Sequence, residues 1–150
     1  MPSNNKSETP HFSRIEFKCK CDRHQQDLSM GFQVVPALYD VLEFIRESVN
    51  EPIRVTSGYR CKEHNLATPG AASNSWHLLR DKKLYAADIT YGNAQNINRL
   101  NILRLYVLAD DFGARGLGLY NGRIHKDQTG AQDGFMLIIT GARLLPRETR

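Results

Sequence analysis

Helical and strand periodicities succeed one another along this chain in an order that restricts its possible folds. From Pro36, the segment PALYDVLEFIRESVN sets Leu38, Val41, Leu42, Ile45 and Val49 at helical spacing, with proline in a favoured first-turn position. Pro52 ends that pattern, and IRVTS follows as a short β-branched strand running into Gly58. LYAADI reads as another strand. After Gly92 and Asn93, Ile97, Leu100, Leu103, Val107 and Leu108 predict a second helix that stops before Gly113. GLGLY, RIHKD and GFMLIIT then read as strands joined by hairpins, one at Asn121-Gly122 and one at the QTGAQDG loop. The stretch from Glu63 to Ser75 carries turn signals without a sustained period and reads as a surface loop. This order predicts an α+β fold, a small antiparallel sheet with helices packed on one face. It lacks the regular alternation of a doubly wound protein.

A chain of 150 residues suits one domain with a core of its own. The polar opening with Pro2 and Pro10 predicts a flexible arm over residues 1–10, a domain over 11–143 and a tail over 144–150. No run approaches the ~18 apolar residues of a membrane span, and the first residues lack the apolar core of a secretory signal. The net charge of +4 favours polyanionic surroundings such as a cell wall. The basic residues are scattered, however, and do not alternate with aromatics, which argues against a nucleic-acid partner. A monomer is expected. Cys19, Cys21 and Cys61 allow at most one internal disulfide, and a bridge from Cys61 to either of the others stays open. The KCKC pair is too small for a zinc ribbon, so packed thiols are expected there.

Of five histidines, His11 and His24 lie near the polar start and His64 stands beside Asn65 in the expected loop, so each is read as solvated or structural. His77 and His125 have more telling neighbours. Ser75-Trp76-His77 leads to Ala86-Ala87-Asp88-Ile89, a histidine leaving a loop followed by a carboxylate on a small-residue strand. In RIHKD, strand alternation puts Arg123, His125 and Asp127 on one face, where imidazole, carboxylate and cation converge.

Taken in order, SGYRCKEHN, the SxH at Ser75–His77 with its later AAD, and GLGLYNGRIHKD resemble the hedgehog-type zinc D-Ala-D-Ala carboxypeptidases, from HFSRIEFKCKC to Asp127. The resemblance implies that fold and a zinc ion held by His77, Asp88 and His125. It also implies that Arg60 binds a substrate carboxylate or the developing oxyanion, and that Ser75 stands beside the metal as a substrate or supporting contact. The family pattern SxHxxGxAxD is shorter than the segment here, where LLRDKKLY stands between His77 and Ala86 without a glycine. A surface hairpin can absorb that insertion, because closure entropy grows slowly with loop length. Asp81 is a rival ligand on spacing alone, but Asp88 has the better context. Where several relatives place an acid or histidine just before the last zinc histidine, this chain has Gly122 and Arg123, and Asp127 becomes the candidate general base.

The implied function is zinc-dependent hydrolysis of peptidoglycan stem peptides, as carboxypeptidase or endopeptidase. The alternative is a wall-binding or virion structural module that keeps the fold without turnover. Without an export signal, the expected setting is a phage lysis or virion-associated protein, or a bacterial protein exported by another route.

Overall fold

The computed structural model describes residues 9–21, 32–68, 71–123 and 133–144. Its elements run in the order β1 (Gln33–Val34), α1 (Pro36–Val49), β2 (Ile53–Ser57), α2 (Lys62–Ala67), β3 (Lys83–Leu84), β4 (Ala87–Tyr91), α3 (Arg99–Phe112), β5 (Ala114–Arg123) and β6 (Asp133–Leu144). Short 3-10 turns occupy Arg14–Phe17 and Ala94–Asn96. The main sheet has the order β2-β4-β6-β5 and is antiparallel throughout, while β1 and β3 form a separate parallel pair. α1 and α3 pack on each other and on β6, so the expected α+β architecture with helices on one face is present. Among the described residues, no helix is long and apolar enough to cross a membrane.

Local chemistry explains the helix ends. α1 starts on Pro36 and closes at Asn50, whose left-handed φ of 51° lets its N–H reach the Arg46 carbonyl. α3 begins at Asn98, whose side chain accepts from the Asn101 N–H at 2.9 Å, and ends at Gly113 with φ 111°, where glycine carries no Cβ penalty. Ahead of α1, Glu43 gathers the chain start by accepting from Thr9 Oγ1 at 2.9 Å and the His11 N–H at 2.7 Å, with His11 Nδ1 at 2.8 Å.

Three expectations need correction. α3 spans the expected stretch, but its buried face is Ile102, Leu105 and Ala109, while Leu100, Leu103 and Val107 are exposed. Both sets recur at helical spacing, so periodicity alone does not choose between them. Leu105→Ala is therefore expected to cost about 3 kcal/mol of unfolding free energy and Leu103→Ala no more than about 0.5 kcal/mol, read from denaturant midpoints. The second correction concerns the stretch from Glu63 to Ser75, whose first part is the short helix α2, begun by Cys61. The third concerns Asn121-Gly122, which makes no turn. β5 runs straight through, pairing Asn121 with Phe135 and Gly122 with Gly134, so GLGLY and Arg123 belong to one strand.

The insertion after His77 is a tight hairpin. Arg80 and Lys83 exchange backbone hydrogen bonds of 2.9 and 3.0 Å across Asp81 and Lys82, which have φ of 53° and 61°. Lys83–Leu84 then pairs with Gln33–Val34, so the extra residues are used to build the two-stranded sheet.

Candidate metal and substrate site

β4 sets the frame of the site. By strand alternation Ala87, Ile89 and Tyr91 enter the core shared with α1 and α3, and Asp88 projects the other way, half-buried. The β2–β4 register shifts between Val55 and Ser57, beside Asp88, and Thr56 Oγ1 donates to the Asp88 carbonyl at 3.1 Å.

His77 comes to Asp88 from the loop before the hairpin, and several contacts fix it. Its backbone N–H donates to Ser75 Oγ at 3.2 Å, its carbonyl accepts from the Arg60 N–H at 2.9 Å, and its ring is buried. Nδ1 lies 2.7 Å from the Gly58 carbonyl oxygen, which can only accept, so Nδ1 carries the proton and Nε2 faces Asp88 Oδ1 at 3.1 Å. A backbone carbonyl is one of the common supports behind a metal-binding imidazole. Only glycine fits at position 58, because a Cβ there would lie 2.7 Å from Phe17 Cα.

Arg60 leaves the same segment as Gly58, is half-buried, and has an Nε without a hydrogen-bond partner among the described residues. Burial lowers its pKa from the ordinary value, and the charges of Asp88 and Cys19 oppose that shift. The guanidinium stays protonated. Lys20 adds a second cation: its ammonium donates to the Val55 carbonyl at 3.2 Å, and burial first, then Arg54 and Lys18, lower its pKa while Glu16 and Asp88 raise it.

The structure thus brings His77, Asp88, Ser75 and Arg60 into one neighbourhood, and it sets Asp81 on the exposed hairpin turn. His125, Asp127 and His24 lie outside the described residues. Sequence reasoning missed three contributors. Arg80 donates to the carbonyls of Asn74, Ser75 and Leu78 at 2.7, 3.1 and 3.3 Å and lies over the Trp76 ring, 3.8 Å from its centroid, bracing the loop that carries His77. Asn65 is buried and donates to the Ala72 carbonyl at 2.8 Å. Lys20 is the third. Asn65 was visible as the last letter of SGYRCKEHN, whereas nothing in the inserted LLRDKKLY marks Arg80 for its role.

The fold and site define a small α+β domain with a buried histidine facing a carboxylate on the sheet, beside two cations. The chain belongs to the Peptidase M15 family, whose model matches residues 10–127, a span that contains every site residue named above. Peptidases of this family are in general zinc-dependent and act on peptidoglycan-like substrates. Searches of curated proteins and of solved structures gave no match.

The residues fit zinc by their own chemistry. With Nδ1 committed to Gly58, Nε2 and Asp88 Oδ1 face each other as two lone-pair donors, an arrangement that calls for a proton or a cation between them.

Proposed function

We propose that this protein is a zinc-dependent peptidase acting at the bacterial cell wall, hydrolysing peptide bonds of peptidoglycan stem peptides as a D-Ala-D-Ala carboxypeptidase or endopeptidase. The observation that carries the reading is the His77 Nε2 to Asp88 Oδ1 approach of 3.1 Å, with the other ring nitrogen tied to a backbone carbonyl. His77, Asp88 and His125 would hold the ion, which would supply Lewis acidity to the scissile carbonyl and to water. The remaining work falls to the chain. Arg60 receives a substrate carboxylate or the developing oxyanion with a charge-assisted hydrogen bond. Asp127 takes the proton of the attacking water and returns it to the leaving amine. Ser75 and Arg80 hold the loop so that the imidazole keeps its direction.

The test is incubation of the zinc-loaded protein with a stem pentapeptide ending in D-Ala-D-Ala and with cross-linked stem peptides. Release of D-Ala, or scission of the cross-linked peptide, is expected, stopped by a chelator and restored by added zinc. A zinc-loaded protein that leaves both substrates intact would replace this reading with the non-catalytic wall-binding module.

A further inference from the structure

The catalytic reading leaves a second constellation unused. Cys19 and Cys21 flank Lys20 just after the Arg14–Phe17 turn, and Cys61 and His64 stand three apart at the start of α2, about forty residues away in the chain. The fold brings the two pairs together. The sulfurs of Cys19 and Cys21 are 3.5 Å apart and those of Cys21 and Cys61 3.7 Å, all three lie within 4.8 Å of one another, and His64 Nδ1 is 3.3 Å from Cys19 Sγ. Backbone N–H groups point into the cluster: that of Cys61 donates to Cys19 Sγ and that of His64 to Cys61 Sγ, both at 3.3 Å. Cys19 and Cys61 are buried, and Cys21 and His64 half-buried.

None of the three thiols is in a disulfide, and a single disulfide would leave the third sulfur stranded against it. Thiols packed only as small apolar groups do not need to converge from three points of the chain on one another and on an imidazole. Tetrahedral zinc with bonds of about 2.3 Å to sulfur separates neighbouring sulfurs by about 3.8 Å, close to the two separations between Cys21 and its neighbours. We propose that Cys19, Cys21, Cys61 and His64 form a structural Cys3His zinc site, separate from the catalytic one. This replaces the expectation of merely packed thiols and of a solvated or structural His64. Soft sulfur and imidazole donors select zinc over magnesium or calcium, and four protein ligands leave no open position for substrate.

The ion would strap the N-terminal segment to α2 next to the catalytic residues. Tyr59 N–H already donates to the Phe17 carbonyl at 2.8 Å, Gly58 is seated on Phe17, and Arg60 immediately precedes Cys61. The clamp therefore positions the segment that supplies both Arg60 and the carbonyl behind His77.

The test uses the full chain, reduced and stripped of metal, titrated with Co2+. The proposed catalytic ligands include no sulfur, so a sulfur-to-cobalt charge-transfer band in the near ultraviolet reports the cysteine cluster alone. The band is expected to saturate at about one equivalent of cobalt, to vanish on addition of Zn2+, and to persist in His77→Ala, in which the peptidase site is disabled. Cys61→Ser should lose most of it. Should that variant fail to fold, His64→Cys, which keeps four donors, should retain the band with added intensity. In the wild-type protein a thiol reagent should react with the cysteines much faster after chelation. Absence of the band in the reduced wild-type protein, or a freshly isolated chain with a disulfide and one titratable thiol, would overturn the proposal without touching the peptidase reading.

Discussion

Replacement of His77 by alanine is expected to lower stem-peptide cleavage at least about a thousandfold, because polarisation by a catalytic metal is worth several kcal/mol and each 1.36 kcal/mol is about tenfold in rate. The ring does two things at once: Nε2 faces Asp88, and Nδ1 satisfies the Gly58 carbonyl. Its loss should therefore also reduce stability, by about 1 kcal/mol for the missing hydrogen bond. That is far too little to explain the fall in activity. Zinc content should drop by about one equivalent, and circular dichroism should show a folded chain. A folded His77→Ala protein that keeps both its zinc complement and its cleavage rate would remove His77 from the metal set.

Arg60→Gln is expected to lower kcat/KM about a hundredfold on peptides with a free terminal carboxylate and much less on the same peptides amidated. A charge-assisted hydrogen bond in a half-buried site is worth about 2–3 kcal/mol, and glutamine keeps much of the side chain's length without its charge. Most of the loss should fall on KM if the contact forms with the bound substrate, and on kcat if it forms only with the oxyanion. Equal losses on free and amidated peptides would exclude carboxylate recognition.

Where one element had one dominant pattern, the sequence was a good guide: the apolar stripe of α1, the Pro52 break and the β-branched β2 all stand where expected. It misled where two patterns competed. α3 offers two apolar stripes, and only tertiary contact turns Ile102, Leu105 and Ala109 inward. Asn121-Gly122 is a strong turn pair, but pairing with β6 holds it extended. α2 is too short for periodicity to register. In the site, SGYR, SxH and AAD stood out as motifs, and the fold brings their Arg60, Ser75, His77 and Asp88 together. The bracing by Arg80 depends on where an inserted hairpin lands. The meeting of Cys19 and Cys21 with Cys61 and His64 joins two distant pairs, each too small to signify alone.

The direction of the His77 ring is set by a peptide carbonyl. Where a side-chain carboxylate plays that part, one substitution can weaken, strengthen or delete it, and selection can adjust the basicity of the imidazole in small steps. The Gly58 oxygen belongs to the main chain, so no codon change removes it, and the clash that any Cβ would make with Phe17 closes the position to other residues. The direction of this imidazole is thus inherited with the backbone. Variation must act through whatever moves the Phe17–Gly58 contact, and activity should drift with the packing beneath the site more readily than with residues beside it.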